Sequence, residues 1–438
     1  MNRQIFVASL LVALSSVARA DLDAYLAKDD GAFKWEKKGE KTWDGFTSYE
    51  LHVVSQEWHG FKWEHRVVLV RPEKGDHKEF CTLYNSSGDG ADSDIEAAGL
   101  YCKWSGTSFA MVYDNPMQPL WGKREDALVV HTWMEFVKSM KEDGKGDESW
   151  PLHFPMAKAV LKGMDALQAF AREANLGPLD SFLVTGGSKQ GWTAWLVGAS
   201  KDPRVKAIAP KVIDILNVKK QAYHMLERWG AASERIKDYS KAGMPQLFET
   251  KEGQRLLEIE DPYSYRERLT LPKLIIIGTN DDHWTLDALN LYWDGLEGPK
   301  WVLYVPNSGH NLEDQFRWGK TMAAFARAVA SGKSLPELQW KYKDTDDGGL
   351  ALTVSSNVAI QEVRRFTADS KTEREFNRSR WRFDRVELED GRFRAEVSRP
   401  TDGCRAVFGE AVFKIDGLEF TLSTQLRILT APKKKRWL

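Results

Sequence analysis

Six short apolar runs, each separated from the next by longer segments, set the tightest limit on how this chain can fold: Phe80–Tyr84, Ser108–Tyr113, Ser181–Thr185, Val205–Ala209, Lys273–Ile277 and Trp301–Val305. Each is too short for a helix and shows no polar alternation, the pattern of strands buried on both faces. Between the second and third, Met156, Val160, Leu161, Met164, Leu167 and Ala171 recur at helical spacing, and Leu176-Gly177-Pro178 closes that helix. Buried strands alternating with helices predict an α/β chain, with a mostly parallel sheet and helices on both faces. Ahead of them, Thr47–Val54 and Phe61–Arg71 join across His59-Gly60 as an antiparallel hairpin. From about Val218 to Arg268 a mostly helical insertion breaks the rhythm, where a lid over the strand C-termini is expected. The pattern changes again after about Ser334. Asp390-Gly391 and Asp416-Gly417 are hairpin turns, and Leu418, Phe420, Leu422, Thr424, Leu426 and Ile428 alternate. Residues 336–438 are therefore expected to form a small all-β, sandwich-like domain behind a main domain of residues 21–335.

Gly186-Gly187-Ser188-Lys189-Gln190-Gly191 stands between a buried strand and a helix. A serine on such an elbow projects its hydroxyl at the sheet edge, beside the free N–H groups of a helix N-terminus. The glycine before it avoids collision with neighbouring strands. Gln190 departs from the G-x-S-x-G pattern, with the glycine one residue late at Gly191. A serine nucleophile needs a base and an orienting carboxylate, in the chain order Ser, acid, His, each just beyond a later strand. Asp281 follows Ile275–Gly278, and His310 follows Leu303–Val305. Order and context predict an α/β-hydrolase fold with Ser188, Asp281 and His310 as the catalytic residues. Asp282 is a rival for Asp281, either being able to face the histidine. The Lys189 N–H, with an N–H near Ser87 or Gly88, is the expected oxyanion hole.

Other residues are weighed against this set. Asp281-Asp282-His283 lacks a second ligand group nearby, so neither metal nor cofactor is expected. His131 lies on an apolar face and reads as a core histidine. Of eighteen tryptophans, Trp192, Trp195, Trp229 and Trp284 fall near the elbow, the insertion and the acid, where they either line a pocket or pack.

A short cationic start, an apolar run over Ile5–Val17 and Ala18-Arg19-Ala20 read as a signal peptide cleaved after Ala20, predicting a secreted or periplasmic protein. No later stretch is suited to span a membrane. Lys plus Arg number 62 against 63 for Asp plus Glu, a balance that gives no electrostatic case for nucleic acid. Cys81 and Cys102 are either bridged or two buried thiols, and Cys404 is a small core residue. Lys433–Arg436 reads as a solvated basic tail.

Several motifs resemble the PhoPQ-activated pathogenicity-related protein family, which includes the autocrine proliferation repressor proteins. They are Glu125-Asp126-Ala127-Leu128, Trp150–Lys158, Met164-Asp165-Ala166, the elbow through Trp192, and Pro210–Asn217. The resemblance implies an α/β-hydrolase fold, export and a C-terminal β-domain, and it says little about substrate. Ser188, Asp281 and His310 match where that family's triad would lie, and Gln190 agrees with the family's own pattern. The leading expectation is a serine hydrolase acting on an ester or amide bond of a small-molecule or peptide substrate. Carbohydrate-ester cleavage in an aromatic cleft is one substrate variant. The alternative is a secreted binding or signalling protein on an idle hydrolase scaffold, whose β-domain meets a protein partner.

Overall fold

The structure of the chain, a computed structural model, describes residues 22–389 and 392–432. The expected signal peptide, the Asp390-Gly391 pair and the basic tail lie outside the described residues. An antiparallel set opens the sheet: β1 (Lys34–Trp43), β2 (Phe46–Trp58) and β3 (Phe61–Pro72). The expected hairpin is β2–β3, closing at Trp58↔Phe61. β1 carries mostly exposed, charged residues, so no apolar period betrays it, and its charges suit an edge strand.

The six apolar runs all become strands: β4 (His77–Asn85), β5 (Thr107–Val112), β6 (Ser181–Gly187), β7 (Val205–Lys211), β8 (Lys273–Gly278) and β9 (Lys300–Val305). They pair in parallel in the spatial order β5-β4-β6-β7-β8-β9, with β3 antiparallel on β5. A short α1 (Leu22–Ala27) opens the described chain. Between strands run α2 (Asp92–Ser105), α3 (Glu125–Asp143), α4 (His153–Glu173) and α5 (Lys189–Ala199). The insertion holds α6 (Val218–Trp229), α7 (Lys237–Lys241), α8 (Met244–Leu247) and α9 (Lys251–Glu260), and α10 (Gln315–Ala330) follows β9. α3, α4 and α5 pack on one face of the sheet, α2 and α10 on the other. This mixed, mostly parallel sheet covered on both faces is an α/β-hydrolase fold. Among the described residues no helix is long and apolar enough to cross a membrane.

The two faces decide the cysteines. Cys81 belongs to the core on the α3–α5 side, Cys102 to the core under α2 and α10. The sheet stands between those cores, so both thiols are free and buried, as is Cys404.

The remaining strands are β10 (Leu338–Asp344), β11 (Leu350–Ser356), β12 (Glu362–Ser370), β13 (Arg382–Val386), β14 (Leu388–Glu389), β15 (Arg392–Val397), β16 (Cys404–Ile415), β17 (Leu418–Ser423) and β18 (Arg427–Thr430). All their pairings are antiparallel, and Asp416-Gly417 turns β16 into β17 at Ile415↔Leu418. These strands do not stand apart. β17 pairs with β9 at Ser423↔Val302, and β16, β12 and β13 carry the hydrolase sheet onward. The pairing satisfies the edge of β9, which would otherwise present open N–H and C=O groups. β10, β11, β15 and β14 form a second sheet against this extension, close enough that a Cβ on Gly409 would meet Leu352 at 3.0 Å. The region is sandwich-like, with one of its layers shared with the main sheet.

Candidate active site

The elbow grows out of β6. Its register sets Asn85 of β4 against Gly186 and Lys211 of β7 against Gly187, so Ser188 emerges at the C-terminal rim between two strand ends. Ser188 takes φ 56° and ψ −124°, a conformation that non-glycine residues adopt only under constraint. Its N–H donates to the Lys211 carbonyl at 2.9 Å, and its carbonyl accepts from the Trp192 N–H at 2.9 Å. The Gln190 departure has a physical account. A Cβ on Gly191 would lie 2.8 Å from Ile213 Cγ2 and 2.9 Å from the Lys211 carbonyl oxygen, so this is where the helix closes on β7. Gln190 turns inward instead, and its side-chain amide donates to the Asn115 carbonyl at 3.0 Å.

The acid and the histidine stand on adjoining loops. Asn280 N–H donates to the Ser308 carbonyl at 2.8 Å, and a Cβ on Gly278 would strike the Gly309 carbonyl oxygen at 2.3 Å. Buried Asp281 accepts through Oδ2 from His310 Nδ1 at 2.7 Å. Its rival Asp282 faces the insertion, where Arg235 Nε donates to it at 2.8 Å. Sequence reasoning weighed His283 only as a metal ligand, and the structure gives it a second place on the acid. The His283 N–H and Nδ1 both lie 2.9 Å from Asp281 Oδ1, an Asx-turn that an Asp-x-His spacing can signal. The two imidazoles stack with centroids 3.6 Å apart and planes 19° from parallel. Donor atoms of Asp281, His283 and His310 lie within 4.8 Å of one another, but the near-parallel rings aim side by side at the carboxylate rather than at one common point. Burial by itself would raise the Asp281 carboxyl. Hydrogen bonds from His283 and His310, and their charge, outweigh it and pull the pKa down to about 2.

Ser188 opens onto a cavity under the insertion, whose wall also carries His283, Trp192 and Trp284. Among the described residues its hydroxyl hydrogen-bonds to neither imidazole. Trp195 is wholly buried in the core, and Trp229 is half-buried, with Arg374 over its ring. His131 stacks edge-on against Trp121, ring centroids 5.1 Å apart, in a half-exposed aromatic cluster.

The oxyanion expectations divide. As the first residue of α5, Lys189 has an N–H without an intrahelical partner, beside the elbow. Its ammonium is bound by Glu125 at 2.8 Å and Asp126 at 2.9 Å, which joins the two motifs singled out in the sequence. The Gly88 N–H is taken by Ser86 Oγ at 3.2 Å and the Gly88 carbonyl by the Asp114 N–H at 3.0 Å, so Gly88 is no free donor in this arrangement. Ser87 stands between them in the loop that leaves β4. Across the elbow, the Lys211 ammonium sits 4.0 Å from the Trp318 ring centroid, and burial pulls its pKa down to about 7.

Comparison with known proteins sets the chain in a lineage. Residues 22–377 match the profile of the PhoPQ-activated pathogenicity-related protein family. Autocrine proliferation repressor protein A of Dictyostelium discoideum is 29% identical over 398 residues, spanning 85% of this chain and 79% of that protein. Among solved structures, acetyl xylan esterase 1 from Thermoanaerobacterium sp. superposes with a TM-score of 0.48 at 17% identity, covering 70% of this chain and 93% of its own. An S-formylglutathione hydrolase from Agrobacterium tumefaciens superposes with a TM-score of 0.43 at 14% identity, covering 68% and 99%.

Proposed function

The chain belongs to the PhoPQ-activated pathogenicity-related protein family, and from that premise we propose that it is an exported serine hydrolase cleaving an ester or amide bond. Ser188 Oγ attacks the carbonyl carbon as its proton passes to His310 Nε2. The imidazolium is stabilised by Asp281 through Nδ1–H. The carbonyl oxygen, now an oxyanion, is received by the Lys189 N–H. The proton then moves from His310 to the leaving alcohol or amine, which departs and leaves Ser188 acylated. Water, activated by the same imidazole, releases the acid and restores the serine. The reaction consumes water and needs no cofactor.

The observation that carries this reading is the 2.7 Å hydrogen bond between Asp281 and His310, on loops at the sheet rim where the constrained Ser188 also emerges. The test is a panel of p-nitrophenyl esters and aminoacyl-p-nitroanilides with the mature protein, run beside fluorophosphonate labelling. Ser188→Ala is expected to remove labelling and to lower kcat about 10⁴-fold or more. Persistent labelling of the Ser188→Ala protein would sink Ser188 as the nucleophile.

A second reading draws on the name of the Dictyostelium relative, a repressor of proliferation. In it the chain is a secreted binding or signalling protein on an idle hydrolase scaffold, with the C-terminal strands meeting a protein partner. It prevails if Ser188→Ala leaves a biological effect of the protein intact.

A further inference from the structure

The cavity that Ser188 opens onto has a one-sided chemistry. Its floor comes from the sheet side, with Trp192 and Ile215, and its roof from the insertion, with Met225, Met244 and Phe248. The charged groups at its edge are already committed. Lys189 is bound by Glu125 and Asp126, and Asp281 holds the imidazole of His283. No free cation on this wall awaits a carboxylate or phosphate among the described residues, and few polar groups remain to satisfy the hydroxyls of a sugar. A polar substrate group entering here would lose its water without replacement, which is strongly unfavourable. An alkyl chain would instead exchange water for apolar contact. Two methionines in the roof, flexible at three bonds, can adapt to chains of different length.

We propose that the cavity is an acyl-chain pocket, and that the preferred substrate is an ester or amide of an aliphatic acid several carbons long rather than of acetic acid. This rests on the serine-hydrolase reading of Ser188 and deepens it. In the acyl-enzyme the chain lies under the insertion, while the leaving group departs from the opposite side of Ser188.

The test uses p-nitrophenyl esters from acetate to dodecanoate. Expected is a rise in kcat/KM of roughly fourfold per methylene until the cavity is full. Met244→Trp, which fills the roof, is expected to lower the hexanoate-to-acetate ratio of kcat/KM, and Phe248→Ala to move the optimum to longer chains. Ratios within one variant are insensitive to the fraction of folded protein. A flat or acetate-favouring series on protein whose Ser188 labels with fluorophosphonate overturns the acyl pocket alone. If Ser188 does not label, the serine reading falls, and the pocket is judged by binding. Methyl esters of increasing chain length are titrated into Ser188→Ala protein, read by isothermal titration calorimetry. Affinity that rises with chain length upholds the pocket, and affinity independent of length overturns it.

Discussion

Asp281 accepts from two imidazoles, so the acid and its partners have to be assigned roles by geometry rather than by count. His310 uses Oδ2 and His283 uses Oδ1, the latter doubled by the His283 backbone N–H. The doubled hold on Oδ1 orients the carboxylate, and the stacked His283 ring limits the tilt of His310. Both effects fix the His310 ring, and in the proposed reaction they would position the base without touching the reacting atoms. The carboxyl, normally near 3.8, is held down to about 2, so the unfolded chain binds more protons than the folded one between those values. Asp281 therefore adds stability above about pH 4, and that contribution is lost as pH falls towards 2. It therefore stays ionised far into the acid range. The two rings are told apart by mutation. His283→Phe, which keeps the stack and loses the ring donor, is expected to lower kcat about 10- to 100-fold with KM little changed. His310→Ala should cost much more. If the order of the two losses is reversed, His283 is the base, as its place on the cavity wall beside Ser188 would allow.

At the scale of elements, the elbow depends on two strand ends and one helix start meeting almost backbone to backbone. Gly191 sits where α5 meets the end of β7. A methyl group there would press on the Lys211 carbonyl and Ile213 at 2.9 and 2.8 Å, neither of which can swing away as a surface side chain could. Gly191→Ala is expected to destabilise the protein by about 1–3 kcal/mol. It should also lower fluorophosphonate labelling of Ser188 in the fraction that remains folded. Denaturant unfolding and the labelling rate check the two effects, and an unchanged labelling rate would mean the elbow tolerates the displacement. The insertion is tied to the same helix. Trp192 Nε1 donates to the Glu260 carbonyl at 2.6 Å, and Glu260 is bonded to His153, both wholly buried. The roof of the cavity is thus anchored through a residue that also lines its floor.

Across the whole molecule, the segment joining β12 to β13 holds the loops of Asp281 and His310. Asn280, next to the acid, donates to the carbonyls of Asn377 at 3.1 Å and Ser379 at 2.7 Å. Asn307, on the loop of His310, exchanges hydrogen bonds with the Trp381 backbone at 3.1 and 2.8 Å. Asn307 also sits at φ 56°, so Asn307→Gly keeps the backbone and removes only the amide. That change is expected to lower kcat about tenfold with KM little altered. Ending the chain after Ser334 should yield no folded monomer, because it uncovers the β9 edge and the apolar face packed on Phe413 and Leu422. A folded, active truncated protein would make the β region a detachable appendage, and circular dichroism with the ester assay decides it.

The strands of the central sheet and the elbow were legible in the residues because each is set by short-range physics. A run buried on both faces must be apolar, a sharp strand–helix turn needs glycine, and catalytic groups sit where strands end. The places of Asp281 and His310, just past β8 and β9, followed from the same reading of the strands. The charged edge strand β1 was hidden because it has no buried face to leave a period. Which face a residue takes across a sheet, and what a distant segment presses against, leave no local trace. Only the tertiary structure put Cys81 and Cys102 on opposite sides of the sheet, gave Asp281 its second imidazole, and chose Trp192 and Trp284 for the cavity while burying Trp195. It alone joined the C-terminal strands to β9. Contacts between segments far apart in the chain depend on how whole elements orient, and no pattern within one element encodes that.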